Sequence, residues 1–210
     1  MPAFSFHRSA LVHFGFAILA LCAAVWLITT TQGPLTAQVG ALVYGTTLAG
    51  LYWATSIYEF TRYGAWSGLW QKIDHSAIFL FIAGCYTPVC LMKLSGWLQP
   101  TLLVSVWCLA ALGVALKLRS ADTHRGLSTS LYVLLGWLSL VAVKPLFLAL
   151  PLVGFLAMLL GGILYTVGAF IYATKSCELM PGYFGHHEVW HVLVLLASSS
   201  HFFAISRYIL

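Results

Sequence analysis

Hydrophobic residues along this chain form long runs of about 20 residues, separated by short segments that hold most of the charges, prolines and turn glycines. Within the runs, apolar and polar residues do not alternate as they would in the strands of a membrane β-barrel. An α-helix of this length crosses the hydrocarbon core of a bilayer. The pattern therefore predicts seven transmembrane helices, at about residues 9–31, 36–58, 74–95, 98–116, 127–149, 152–174 and 187–208.

The composition agrees with a membrane protein. Hydrophobic residues make up 61% of the 210 residues and charged residues only 7%, and a water-soluble domain of this composition would need a largely apolar surface. The connections are short, and no segment indicates a second domain, so we predict a single all-α membrane domain over residues 1–210. The first apolar run is longer than the core of a signal peptide and lacks a clear cleavage site, so we expect it to be retained as the first span.

The basic residues predict the orientation of the helices. With seven spans, the N-terminus and every second loop share one side of the membrane, and that side carries Arg8, Arg62, Lys72, Lys117, Arg119, Arg125 and Lys175. The opposite side carries Lys93, Lys144 and Arg207. The positive-inside rule therefore predicts a cytoplasmic N-terminus and an outside C-terminus. The net charge of +5 indicates contact with anionic membrane lipids rather than binding of nucleic acid.

The acidic residues lie on the same predicted side. They are Glu59, Asp74, Asp122, Glu178 and Glu188. Glu59 ends the second span and Asp74 begins the third, while His187 and His191 are four residues apart at the start of the seventh and so share one face of a helix. These four side chains are expected to converge at the cytoplasmic edge. Two imidazoles and two carboxylates suit Zn²⁺, with one carboxylate left to orient or deprotonate a water.

A structural role is the alternative for each of these polar residues. Asp74 would cap the third helix near its positive dipole end, and Glu59 would pair with Arg62 or Lys72. Ser198 and His201 continue the polar stripe along the seventh helix, where hydrogen bonding between helices is favoured over catalysis. For the four side chains at the cytoplasmic edge, the residues alone leave both the metal-binding and the structural interpretation open.

Two strings resemble the bacterial hemolysin III proteins, which are relatives of the progestin and adipoQ receptors. The first is Ile73-Asp74-His75-Ser76-Ala77-Ile78 continuing to Ala83-Gly84-Cys85-Tyr86-Thr87-Pro88. The second is His187-Glu188-Val189-Trp190-His191 followed by His201-Phe202-Phe203-Ala204-Ile205, and Gly136-Trp137-Leu138-Ser139 adds a weaker match. The resemblance extends from about Ala10 onward. It implies seven spans in a bacterial cytoplasmic membrane, a zinc ion near the cytoplasmic face and kinship with alkaline ceramidases among membrane hydrolases. It also implies that His187 and His191 bind zinc and that Asp74 holds the water.

One position departs from that family. Its second span carries Ser-x-x-x-His, and the corresponding residues here are Thr55 and Glu59. Two histidines, a glutamate and a water form a ligand set found in hydrolytic zinc sites. The substitution could equally weaken zinc binding, admit a harder metal or mark a member without catalysis. Ser56 is one residue from Thr55, but the rotation of about 100° per residue argues against a shifted register.

The favoured function is a zinc-dependent hydrolase of lipid amide or ester bonds. In this hypothesis Asp74 acts as the general base, and Thr55 or Ser56 assists the oxyanion. The alternatives are a non-enzymatic receptor or regulator of membrane properties with a structural metal, and a pore-forming haemolysin. The pore is disfavoured because spans so poor in charge offer little to line a water-filled channel. The sequence leaves the substrate, the identity of the metal and the oligomeric state open.

Overall fold

The computed structural model describes residues 2–119, 125–176 and 185–210, with side chains described from Ala10 onward and, in the second segment, from Ser128. Regular structure in these residues is helical, without a strand, which confirms the all-α prediction. The helices are α1 (Pro2–Thr30), α2 (Leu35–Thr61), α3 (Ser67–Lys93), α4 (Leu98–Arg119), α5 (Arg125–Trp137), α6 (Val143–Ala149), α7 (Leu152–Thr174) and α8 (His186–Ala204). Asp122 and Glu178, two of the five acidic residues, lie outside the described residues.

Six segments of the described chain are long and apolar enough to cross a membrane. They are Ala10–Thr30, Ser67–Lys93, Leu98–Arg119, Ser128–Ala149, Leu152–Thr174 and His186–Ile209. α2 is not among them, although it has 27 residues. It carries polar side chains at Gln38, Thr46, Thr47, Thr55, Ser56 and Glu59. A helix whose surface is largely covered by protein, with residues such as Tyr44 and Ser56 buried, does not need a continuous apolar surface. The count of seven spans and the direction of the termini remain predictions.

The described helices form two compact units. One consists of Met1–Met92 and Gly96–Thr123, and the other of Lys93–Ser95 and His124–Leu210. The first therefore contains α1, α2, almost all of α3, and α4, and the second contains α5 to α8. Short connections at Gly33 (φ 112°) and Gly96 (φ 64°) join α1 to α2 and α3 to α4, and both use the left-handed backbone region that glycine adopts at little cost.

In the first unit, close helix packing depends on glycines, which have no side chain. A Cβ at Gly84 of α3 would overlap Thr47 of α2, and a Cβ at Gly113 of α4 would lie 2.5 Å from the ring of Phe79. The α3–α4 contact also includes a hydrogen bond of 3.1 Å from Trp107 Nε1 to Thr87 Oγ1. Small residues that let helix backbones approach, with occasional polar bonds between them, are typical of helix association in membranes.

In the second unit, three glycines spaced by seven residues form the contact of α7 with the last helix. Gly154 faces Tyr208, Gly161 faces His201 and Gly168 faces Trp190 and Leu193. A spacing of seven returns to the same face of a helix after two turns, so the three positions make one continuous seam. This seam brings α7 and α8 close together along most of their length.

The predicted fifth span is interrupted. α5 ends at Trp137, a 3-10 turn follows at Leu138–Ala142, and α6 completes the segment. Pro145 has no N–H to donate to the carbonyl of Val141, so one hydrogen bond of a regular α-helix is missing at this point, which favours a break here. Trp137, the last residue of α5, binds α7 through a hydrogen bond of 2.9 Å from its Nε1 to Thr166 Oγ1.

We expect Gly161→Ala to lower the stability of the protein by about 1–3 kcal/mol, because the added methyl group would overlap the His201 ring. Gly162→Ala is the matched control, since a Cβ there meets nothing within 4 Å and alanine favours a helix by about 0.5–1 kcal/mol. Thermal unfolding of the purified proteins in detergent, followed by circular dichroism, measures both changes. Equal melting temperatures for the two variants would contradict the close packing at Gly161.

Candidate metal centre

The start of α8 is fixed by an acidic cap. Gly185 precedes the helix, and its backbone N–H donates to Glu188 Oε2 at 2.9 Å. A carboxylate in the first turn is also favourable near the positive end of the helix dipole. Glu188 lies between the two histidines in sequence, but its carboxylate is used to begin the helix. This contact sets the turn of α8 from which both histidines extend.

His187 and His191 form the imidazole pair that the sequence predicts. Their Nε2 atoms are 3.1 Å apart, their rings are nearly perpendicular at 85°, and both side chains are half-buried. Two nitrogen ligands of a tetrahedral zinc ion, each at about 2.0–2.1 Å from it, lie about 3.3 Å from one another. The pair therefore fits two neighbouring ligands of one ion. Without an ion, one Nε2–H can donate to the other nitrogen.

Tyr172 of α7 lies beside His187 and also packs against Trp190 of α8. The ring of Tyr172 lies 6.3 Å from that of His187 and 5.2 Å from that of Trp190, measured between centroids. Aromatic rings at this distance restrict the orientation of a neighbouring imidazole. Tyr172 belongs to no short motif in the sequence, so it was not among the predicted site residues. The sequence signal for it was its place near the end of α7, because the end of one helix and the start of the next lie at the same edge of the membrane.

Glu59 lies in the last full turn of α2 and is 1% exposed. Its Oε2 accepts a charge-assisted hydrogen bond of 3.3 Å from Nη1 of Arg62, one turn later. The pairing with Arg62 that the structural interpretation predicted is thus confirmed. A buried carboxylate without a partner would be strongly unfavourable, which explains the pairing. A carboxylate oxygen is also a ligand type that zinc accepts, so the side chain that pairs with Arg62 is of a kind that could bind a metal ion.

Asp74 is not a helix cap, and that part of the structural interpretation is wrong. α3 begins at Ser67, two turns earlier than predicted, so Asp74 lies inside the helix. It is buried, and its Oδ1 accepts a hydrogen bond of 2.6 Å from the hydroxyl of Thr55 on α2. The same hydroxyl is 3.0 Å from the carbonyl of Leu51, so its single hydrogen serves these two acceptors. Thr55 therefore links α2 to α3 at the level of Asp74, while Ser56 is buried beside it.

The polar stripe further along α8 has structural contacts. His201 Nε2 is 3.1 Å from the carbonyl of Met158 on α7, and the ring meets that of Tyr165 edge to face at 5.5 Å. This contact between helices agrees with the structural role expected for His201. Ser198 donates instead to its own helix, at the carbonyl of Val194, 2.9 Å away. Gly161 leaves the space that the His201 ring occupies, and the regular spacing of the α7 glycines was the sequence signal for this contact.

The donor set fits a zinc ion in its chemistry. The second unit supplies two imidazole nitrogens at ligand spacing, and the first supplies the buried carboxylates of Glu59 and Asp74 on neighbouring helices. Zinc in proteins accepts imidazole nitrogen and carboxylate oxygen, and catalytic sites combine three such ligands with a water.

Comparison with known proteins gives the family. Residues 7–202 match the family described as Haemolysin-III related. The Hemolysin-3 homolog of Bacillus subtilis (strain 168) is 36% identical over 202 residues, covering 95% of this chain and 92% of that protein. Hemolysin-3 of Bacillus cereus is 36% identical over 204 residues, covering 96% and 90%. The human Monocyte to macrophage differentiation factor is 22% identical over 184 residues, covering 82% and 71%.

These relatives and the apolar helices together confirm the predicted location in a bacterial cytoplasmic membrane. The resemblance noted in the third and seventh predicted spans is likewise confirmed, because the match covers nearly the whole chain. The chain is an integral membrane protein that belongs to the haemolysin III-related family.

Proposed function

We propose that this protein is a metal-dependent hydrolase in which Glu59, His187 and His191 bind one ion, most simply Zn²⁺. The observation that carries the proposal is the His187–His191 pair, whose nitrogens are spaced as neighbouring ligands. A buried glutamate supplies the third ligand type of a hydrolytic zinc site, in the position where the resembled family has a histidine. A bound zinc ion would polarise a carbonyl group and lower the pKa of a coordinated water.

The residues of α2 and α3 supply the proton transfer. Asp74 acts as the general base, and Thr55 positions it by donating a hydrogen bond to Oδ1. Because the Thr55 hydrogen serves Asp74 and the Leu51 carbonyl, Ser56 is the better candidate to donate to a developing oxyanion. A general base held by a short bond to a neighbouring helix has less freedom to rotate away from its water.

The substrate class follows from the surroundings of these residues. Glu59 lies near the end of α2, and the histidine pair lies at the start of α8, so both lie near helix ends rather than at mid-span. A helix end in a membrane protein lies near the lipid head groups, where water is also available. We therefore propose a membrane lipid at the cytoplasmic edge as the substrate. The resemblance to the alkaline ceramidases supports an amide or ester as the bond that is hydrolysed.

The proposed topology has seven crossings, with α2 as the second. α2 is long enough to span the bilayer, and neighbouring helices cover many of its side chains. If α2 crosses, the termini lie on opposite sides, with the N-terminus inside. If only the six more apolar segments cross, both termini lie on the same side.

Removing either histidine should abolish metal binding, and Glu59→Ala should reduce it, because each loses one ligand. Elemental analysis of the purified proteins measures the bound metal per chain. His186→Ala is the matched control, since it removes an adjacent imidazole that points about 100° away on the same helix. Equal metal content in wild type and His187→Ala would contradict the proposed ligands.

Asp74→Asn should slow lipid hydrolysis by about 100-fold or more, because asparagine cannot accept the proton. Its side-chain oxygen can still accept the hydrogen bond from Thr55, so the helix contact is retained. Release of fatty acid from vesicles containing amide-linked and ester-linked lipids measures the rate. If the metal-loaded wild type released no fatty acid from any of these lipids, the metal would be structural and the protein not a hydrolase.

A fusion of alkaline phosphatase to the C-terminus of the full chain should be active, because that enzyme folds only outside the cytoplasm. The matching fusion to a green fluorescent protein should be dark, since that protein fluoresces only when it remains inside. Fluorescence without phosphatase activity would place the C-terminus inside and exclude the seven-span topology with a cytoplasmic N-terminus.

A further inference from the structure

Arg62 is the described partner of a carboxylate that the proposed function assigns to the metal. It stands at the C-terminal boundary of α2, one turn beyond Glu59, and its Nη1 is 3.3 Å from Glu59 Oε2. The two ends of this ion pair differ in environment. The glutamate side chain is 1% exposed, whereas the arginine side chain is 35% exposed. The carboxylate is therefore fixed in the protein, and the guanidinium is on a flexible stem that reaches solvent.

This arrangement makes the arginine and a metal ion alternative partners of one carboxylate. A buried carboxylate must be paired, and either a guanidinium or a divalent cation satisfies it. The two cations also repel each other when both are close to Glu59, because little water screens charges at a buried site. The guanidinium can leave at small cost, since its exposed fraction allows it to be hydrated.

We propose that Arg62 sets the metal affinity of this site by competing with the ion for Glu59. Without the ion, Arg62 neutralises the buried carboxylate and keeps the end of α2 stable. When an ion binds, Arg62 turns toward solvent and Glu59 becomes a ligand. The inference rests on the proposed function, because it takes Glu59 as a ligand. Its consequence is that the ion is held less tightly than by the same ligands alone, so that it can exchange.

The test compares Zn²⁺ affinities of the full-length purified protein, measured by competition with a chromophoric chelator. Arg62→Gln removes the competing charge and should bind Zn²⁺ about tenfold more tightly than wild type. Arg62→Lys keeps the charge but loses the planar fork, and it should fall between the two. Arg119→Gln is the matched control, because it removes one exposed cation from the end of α4 and should leave the affinity unchanged.

A second measurement distinguishes competition from a general effect of charge. In the Glu59→Gln background, Arg62→Gln should no longer change the affinity, because the contested carboxylate is absent. The metal-free Arg62→Gln protein should melt at a lower temperature than wild type, since the buried Glu59 carboxylate has lost the positive charge beside it, and saturating Zn²⁺ should remove that difference. Competition thus predicts that Arg62→Gln raises the affinity for Zn²⁺ and lowers the stability of the metal-free protein.

Several results would overturn the inference. Weaker or unchanged Zn²⁺ binding by Arg62→Gln would show that Arg62 does not compete. If Arg62→Gln raised the Zn²⁺ affinity equally in the Glu59→Gln background, the effect would come from the change in surface charge and not from competition for Glu59. If Glu59→Gln weakened binding while Arg62→Gln did not change it, only this inference would fail. If Glu59→Gln and His187→Ala bound Zn²⁺ as tightly as wild type, the proposed ligand set would fail, and the role of Arg62 with it.

Discussion

The cost of enclosing ionised groups among apolar helices governs the polar contacts of this protein. Only 7% of its residues are charged, and two of its carboxylates, those of Glu59 and Asp74, are buried. A carboxylate in such a place needs a hydrogen-bond donor or a cation. Thr55 supplies the donor for Asp74, and Arg62 supplies the cation for Glu59. Thr55 lies in the last turns of α2 and Arg62 directly follows this helix, so both partners come from the same helix end.

Much of the fold follows from the sequence alone because the physical signal is strong. Runs of about 20 apolar residues can satisfy their backbone in hydrocarbon only as helices, and this predicted the helical class. The histidine pair was predictable for a similar reason, since a spacing of four places two side chains on one helix face. Local periodicity determines both features, and neither requires knowledge of the tertiary structure.

Other features depended on contacts that periodicity does not encode. The sequence pattern began the third helix at Asp74, where the apolar run begins, but the helix starts two turns earlier at Ser67. The interruption before Pro145 was likewise hidden inside an apolar run, although a proline in that position is a recognised cause of a break. The bond from Thr55 to Asp74 joins residues 19 positions apart and depends on how two helices are aligned.

The cap at Glu188 has a consequence for the histidines on either side of it. Two imidazoles four residues apart face the same direction only while the turn between them remains helical. That turn is the first of α8, and first turns unwind readily because their backbone N–H groups have no partners within the helix. By accepting the N–H of Gly185, the Glu188 side chain opposes this fraying. The acid in the middle of the His-x-x-x-His string thus helps to maintain the alignment of both rings through the order of the backbone between them.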